Sequence, residues 1–165
     1  MVLPHLDDAY RLARWLTGSR SDAEDVAHEA YIKALAALET AQIEQPRAWL
    51  LTIVRNTALT WLKKNRPKNL VFTDDSEALA AAAAQMPETA APNPEEALIA
   101  AADEAALAAA IGSLPHLFRE VVVMRDINGL SYRDIAAAIE APVGTVMSRL
   151  ARGRATLIEK LGAKR

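Results

Sequence analysis

A short row of polar and basic side chains stands out in the C-terminal part of the chain. Within residues 130–154 (LSYRDIAAAIEAPVGTVMSRLARGR), helical spacing brings Thr145, Ser148 and Arg152 onto one face, with Arg149 beside them. Hydroxyl and guanidinium groups in such a row can form hydrogen bonds with base edges in a major groove. The row predicts a helix that binds duplex DNA, and the alternative is the solvated face of an ordinary helical hairpin.

Two helices joined by a tight turn must position this row. Ser131 is suited to cap the first helix, Asp134 to return a reciprocal cap, and Pro142 to stand at the first position of the second helix. The opposite side of the second helix is apolar and is predicted to face a core: Val143, Val146, Leu150, Leu157 and Leu161. The stretch is therefore predicted to be a helix-turn-helix.

A second candidate surface lies on a basic helix predicted to begin at Pro46 (PRAWLLTIVRNTALTWLKKNR). Positive charge along a helix follows phosphates, and an aromatic ring can stack on an unpaired base, as binding to single-stranded DNA requires. Trp61 lies beside the basic run, and the alternative is that Trp49 and Trp61 are core side chains. The candidate residues are Arg47, Arg55, Asn56, Trp61, Lys63, Lys64 and Arg66.

A third candidate surface is acidic. Asp22, Asp25 and Glu29 recur at spacings of three and four in the second predicted helix, and Ile32 and Leu35 are predicted to flank its buried side. Such a row can dock a basic partner. Alternatively, it only favours the helix dipole and keeps the surface solvated.

Composition bounds the fold. Of 165 residues, 52% are hydrophobic, but alanine supplies much of this share and only 5% are aromatic. No alternation typical of strands persists, so an all-α fold is predicted. The net charge of −2 is unevenly distributed, with +1 over residues 1–66, −7 over 67–110 and +4 over 111–165. Proline and acidic residues concentrate in residues 67–94, which predict a flexible linker between two small helical domains, 1–66 and 95–165.

Several classes of protein are disfavoured. The chain has no cysteine, so disulfides and thiolate metal sites are excluded. His5, His28 and His116 stand far apart, without the close spacing of a metal site, and no phosphate loop or nucleophile elbow occurs. No apolar run reaches the roughly 18 residues of a membrane span, and no signal peptide is recognisable. We therefore expect a cytoplasmic protein that is not an enzyme and has no cofactor, metal or membrane insertion.

Taken in order, these parts resemble the extracytoplasmic-function (ECF, group four) sigma factors of the sigma-70 family. DAEDVAHEAYIKAL resembles the family's polymerase-binding helix and PRAWLLTIVRNTALTWLKKNRP its promoter-melting helix, while PVGTVMSRL is the sharpest match to its C-terminal domain. The resemblance covers essentially the whole chain except the linker. It implies a sigma region 2 bundle over residues 1–66 and a sigma region 4 helix-turn-helix over residues 95–165.

The resemblance also implies a mechanism. The N-terminal domain would dock on the coiled coil of the polymerase β′ subunit through Asp22, Asp25 and Glu29, and the C-terminal domain on the flap of the β subunit. The loop of residues 39–46 would hold a base flipped from the −10 element, and the helix of residues 47–66 would contact the opened non-template strand. The residues expected to contact the −35 duplex are Arg133, Thr145, Ser148, Arg149, Arg152 and Arg154.

Two positions depart from the family's pattern. Members often carry a basic residue where this chain has Met147, and a bulkier or polar one where it has Ala151. Indirect readout of a stiff A-tract is therefore expected to supplement weaker base contacts.

The partners implied by the resemblance are core RNA polymerase, promoter DNA and an anti-sigma factor, and the chain is expected to be a monomer when it is not bound to a partner. Three alternatives stay open: a sigma-like decoy that sequesters an anti-sigma factor without binding promoters, a plain helix-turn-helix transcription regulator, and a small helical enzyme. A plain regulator would leave the acidic and the Trp-bearing helices without a role. The linker allows the two domains to be packed together or extended.

Overall fold

A computed structural model describes residues 3–66 and 104–162 of the chain. Every regular element within these residues is helical, which confirms the predicted all-α fold. The predicted linker, its short helix and the start of the predicted fourth helix lie outside the described residues, so the domain boundaries stay predictions.

The N-terminal region is a three-helix bundle. A 3-10 turn at Leu3–His5 leads into α1 (Leu6–Thr17), which is followed by α2 (Arg20–Ala37) and α3 (Pro46–Asn65). All three pairs of helices are in contact, so they share one core. Its fully buried side chains include Leu12, Leu16, Val26, Leu50 and Val54.

Local sequence explains where these helices begin and end. Gly18, with a φ of +76°, ends α1 in a left-handed conformation that glycine adopts without strain. The Asp22 backbone N–H donates to Ser19 Oγ, so Ser19 caps α2, which begins at Arg20. Pro46 occupies the first position of α3, as predicted.

Within residues 104–162, the C-terminal region has four further helices: α4 (Glu104–Gly112), α5 (His116–Val122), α6 (Tyr132–Ile139) and α7 (Val143–Gly162). Helix α5 continues into a π-helical turn at Val123–Ile127. The long helix α7 packs against α4, α5 and α6, and the core of the region therefore lies along its inner side.

Helices α6 and α7 form the predicted helix-turn-helix. The Asp134 backbone N–H donates to Ser131 Oγ at 3.0 Å, and α7 begins directly after Pro142. Glu140 closes α6 with a φ of +55°, a left-handed conformation that is uncommon for a residue other than glycine.

Helices α5 and α7 approach closely at Gly153. A Cβ atom built on Gly153 would lie 2.7 Å from Val122 Cγ2, which is closer than two carbon atoms can approach. Because valine is stiff at χ1, it cannot easily move aside. Glycine is therefore required here by the spacing of the two helices.

The two regions pack against each other. Helix α3 lies against α6, and α1 contacts α4, α5 and the π-helical turn. Of the two arrangements that the linker permits, the structure has the packed one.

Candidate DNA and polymerase interfaces

The residues predicted to contact the −35 duplex lie on a part of α7 that is largely covered. Thr145 and Ser148 are 8% and 7% exposed, Arg149 is half-buried and Arg152 is exposed. All four residues from Thr145 to Ser148 are buried, and successive residues of a helix point about 100° apart. This turn of α7 is therefore enclosed on every side. Helical periodicity predicted the face opposite the apolar stripe, but it cannot report what covers that face.

Arg149 lies near the junction of the two regions. Burial lowers the pKa of its guanidinium, Glu120 of α5 opposes this shift, and Arg55 of α3 adds to it. Charged side chains of both regions therefore act electrostatically on Arg149.

Arg154 has a local partner instead of an open surface. Its side chain is 7% exposed, and its Nη2 and Nε donate to Asp126 Oδ1 and Oδ2 at 2.6 and 3.1 Å. This bidentate pair fastens α7 to the π-helical turn, and its two parallel bonds fix the orientation of the guanidinium. Arg133, another residue expected to contact the −35 duplex, is exposed on α6.

The C-terminal half of α3 presents the open part of the predicted −10 surface. Asn56, Lys63 and Lys64 are exposed. Trp61 is half-buried against the core, and the guanidinium of Arg66 lies over its ring, 5.3 Å from the centroid. The Trp61 ring, which can stack on a base, is thus covered by the Arg66 guanidinium. A guanidinium in this position is itself compatible with binding DNA.

Arg66 also connects α3 to the acidic row. Its Nη2 donates to Asp22 Oδ2 at 2.9 Å, and its Nη1 donates to the Thr17 carbonyl at 2.8 Å. Asp22 is consequently engaged within the bundle, whereas Asp25 and Glu29 remain exposed on α2.

Two further residues of the predicted −10 set, Arg47 and Arg55, face the C-terminal region. Arg55 is buried and bonds to Glu120 of α5. Arg47 donates to Asp8 of α1 and to the backbone carbonyl of Asn128. The structure therefore divides the predicted −10 residues between an open surface and the junction of the two regions.

A patch on α2 combines negative charge with exposed hydrophobic surface. Ile32 and Leu35 are 55% and 66% exposed, and helical spacing places them on the face that carries Asp25 and Glu29. The prediction that Ile32 and Leu35 flank the buried side of α2 is wrong. Their spacing of seven and ten residues from Asp25 was the signal for a shared outer face. These four residues are called the α2 patch below.

The loop expected to hold a flipped base ends at a cleft between the two regions. Its last residues, 44–46, line the cleft together with residues 129–131 and Asp134 of the C-terminal region. The Gln45 side chain, oriented with its amide nitrogen toward α6, donates to the Asp134 carboxylate at 3.0 Å. In this arrangement the end of the loop is bonded to the helix-turn-helix.

Comparison with known proteins identifies the class. Residues 1–68 match the family model of sigma-70 region 2, and residues 104–157 match that of sigma-70 region 4. The chain is 36% identical over 98% of its length to the ECF RNA polymerase sigma factor SigE of Mycolicibacterium smegmatis, of which it spans 60%. It is 33% identical over 85% of its length to the ECF sigma-E factor of Escherichia coli, of which it spans 74%.

The chain belongs to the ECF sigma factors of the sigma-70 family. Members of this family are transcription initiation factors and not enzymes, which agrees with the sequence analysis. Within residues 3–66 and 104–162, no helix is both long and apolar enough to span a membrane.

Two solved structures are similar over 99% of the chain. One is the sigma factor RpoE in complex with the anti-sigma factor NepR from Bartonella quintana, with a TM-score of 0.71 at 26% identity and 96% coverage of that chain. The other is CnrH in complex with the cytosolic domain of CnrY, with a TM-score of 0.66 at 25% identity and 86% coverage. The similarity in fold thus extends across both regions.

Proposed function

We propose that this chain binds core RNA polymerase and directs initiation at promoters with specific −35 and −10 elements. The observation that carries this proposal is the order of parts on one chain: a region 2 match with the α2 patch and a basic helix, followed by a region 4 match with a helix-turn-helix. A protein that only bound duplex DNA would need the last of these parts alone.

In this proposal the α2 patch docks on the coiled coil of the β′ subunit. Asp25 and Glu29 supply charge complementary to a basic partner, and Ile32 and Leu35 supply apolar surface that is removed from water on binding. An exposed pair of large aliphatic side chains beside carboxylates is more consistent with a docking site than with capping alone.

The −10 element is contacted by α3 after the strands separate. Lys63 and Lys64 lie at the exposed end of the helix, where their charge can follow the phosphates of the non-template strand. Trp61 can stack on an unpaired base once Arg66 moves aside or itself contacts the DNA. Arg47, Arg55 and the loop of residues 39–46 complete this surface when the C-terminal region moves away.

The −35 element is contacted by α7, while the C-terminal region docks on the β flap. Arg152 and Arg133 are exposed in the packed arrangement, and Thr145, Ser148 and Arg149 become available when the start of α7 is uncovered. Met147 and Ala151 offer few groups for direct contacts with bases, so shape readout supplements specificity. Arg154 reaches a phosphate only if its pair with Asp126 rearranges.

An anti-sigma factor is the further partner of this proposal, and the cytoplasm is its compartment, with the chain a monomer when free. Support comes from the two similar structures, since each contains a sigma factor bound to its inhibitor or to an inhibitor's cytosolic domain. A decoy that sequesters such an inhibitor is the alternative function, and it would bind the inhibitor without starting transcription.

Transcription in a purified system tests the proposal. The full chain is mixed with core polymerase of a species that has a similar sigma factor, such as Escherichia coli, and with a randomised DNA library, and the start sites are sequenced. We expect starts preceded by two shared elements at a fixed spacing, absent when the chain is omitted. Random starts, or none despite binding to core polymerase, would support the decoy; DNA binding without polymerase would support the plain regulator.

A further inference from the structure

A buried ion pair joins the two regions of the chain. The Arg55 guanidinium on α3 donates through Nε and Nη2 to the two carboxylate oxygens of Glu120 on α5, at 2.7 and 3.0 Å. The Glu120 side chain is fully buried and that of Arg55 is 11% exposed. Because one partner belongs to each region, this bidentate pair exists only while the regions are packed together.

The surroundings of Glu120 keep it ionised. Burial raises its pKa, but His116 of α5 and Arg55 outweigh this effect, so that the pKa lies below the usual range of a glutamate. His116 Nε2 lies 3.1 Å from Glu120 Oε2, and the charge of Arg149 on α7 also acts on the pair. A buried carboxylate is therefore compensated by side chains from both regions.

A second polar contact crosses the same junction. Arg47 at the start of α3 donates through Nη2 to the backbone carbonyl of Asn128, while its Nε donates to Asp8 Oδ2 at 2.9 Å. Two basic residues that are expected to contact the −10 strand thus bond to the C-terminal region instead.

We propose that the Arg55–Glu120 pair is a latch that holds the free chain in a closed, autoinhibited arrangement. The latch occupies Arg55 and opens when core polymerase separates the two regions. The inhibitory consequence rests on the proposed function, since it assumes that α3 and α7 bind DNA; the latch itself does not. No second protein is required for this level of inhibition.

The energetics of buried ion pairs mean that the Arg55–Glu120 pair stabilises the closed arrangement and not the open one. Replacing Glu120 with glutamine preserves shape but leaves the buried Arg55 charge without a counter-ion, which is strongly unfavourable. In the open arrangement both side chains meet water, and the same change costs little. The open-to-closed ratio should therefore rise at least about a hundredfold in Glu120→Gln.

A distance measurement tests the latch without DNA. The chain has no cysteine, so Arg11→Cys on α1, away from the α2 patch, and Ala155→Cys on α7, both at exposed positions, provide unique attachment points for spin labels. We expect one short, narrow distance distribution in the otherwise unchanged full-length chain and a broad, longer one in Glu120→Gln. If Glu120→Gln gives the same narrow distribution, or if the unchanged chain is already broad, the latch is refuted.

Matched variants separate the latch from general damage to the fold. Asp126→Asn removes another bidentate arginine pair, but one that lies within the C-terminal region, and it should leave the distances unchanged. Arg55→Glu should open the chain, and the charge-reversed double variant Arg55→Glu with Glu120→Arg should close it again. Opening by Asp126→Asn, or no recovery in a folded double variant, would contradict a specific pair.

Core polymerase provides the second arm of the test. Its addition to the labelled chain should convert the short distance into a long one, and a complex that retains the short distance would contradict opening. Failure of the chain to bind core polymerase would instead refute the proposed function, because the effect of Glu120→Gln on the free chain is measured separately.

Discussion

The contribution of the α2 patch to polymerase binding can be calculated from the exposed fraction of the Leu35 side chain. Leu35 is 66% exposed, and complete burial of a leucine side chain contributes about 1.5–3 kcal/mol. Covering the exposed two-thirds on docking therefore contributes about 1–2 kcal/mol, or a five- to thirtyfold change in Kd. Leu35→Gln should weaken binding to core polymerase by this factor.

A competition titration measures this loss. Labelled chain is displaced from core polymerase by unlabelled variants, and their inhibition curves give relative affinities. Leu35→Met keeps the apolar surface and should bind within about twofold of the unchanged chain. Neither variant should alter the thermal midpoint, because Leu35 does not contribute to the core. Equal affinity of Leu35→Gln and the unchanged chain would refute the assignment of the α2 patch.

Charge, sequence readout, packing and pH give four further predictions. Reversing the charge of Asp25 and Glu29 should weaken core binding, and increasingly so at low salt; unchanged affinity would mean that these carboxylates only favour the helix. Arg152→Ala should reduce transcription that depends on the −35 element, as measured on promoters with and without that element, and an unchanged preference would remove Arg152 from the contact set. Gly153→Leu should lower the free energy of unfolding by about 1–3 kcal/mol in urea titrations because of the clash with Val122, whereas Ala155→Leu on the exposed side should not. The pKa of Glu120 is lowered, and His116, Arg55 and Arg149 lie around it. The closed arrangement should therefore persist from pH 8 to about 5 and weaken only below the usual glutamate pKa of about 4.3. Opening of the chain near neutral pH would contradict this prediction.

Local chemistry made the secondary structure predictable. Ser131 caps α6, and Pro46 and Pro142 mark the starts of α3 and α7, because capping and first-turn preferences depend only on neighbouring residues. The apolar stripe of α7 was also predicted, and Val146, Leu150 and Leu157 are buried. Such features depend on residues three or four positions apart, so they can be recognised directly in the sequence.

The packing of one region on the other could not be predicted in the same way. Arg55 and Glu120 are 65 positions apart, and nothing in either local pattern distinguishes a buried partner from a phosphate contact. Arg154 is a similar case, since a guanidinium in a basic helix suits both DNA and Asp126. Ser148 was predicted to be exposed from its angle on α7, but its burial depends on the tertiary arrangement.

The exposure of Ile32 and Leu35 illustrates a different limit. Both residues are apolar and lie on an amphipathic helix, so a rule that places apolar residues inside assigns them to the core. The bundle is instead filled by the alanines of α2 together with larger side chains from α1 and α3. Large side chains that a core leaves outside are informative, because exposed apolar surface is a candidate for contact with a partner.

The most direct test of the central claim is strand opening at a promoter. Permanganate oxidises unpaired thymines, so its reactivity across the −10 element reports melting at single-base resolution. We expect reactive thymines only when the chain, core polymerase and a promoter selected from the library are all present, and fewer of them when Lys63 and Lys64 are both replaced with glutamine. An unreactive −10 element in the complete mixture would contradict the claim that this chain is an initiation factor that melts promoter DNA.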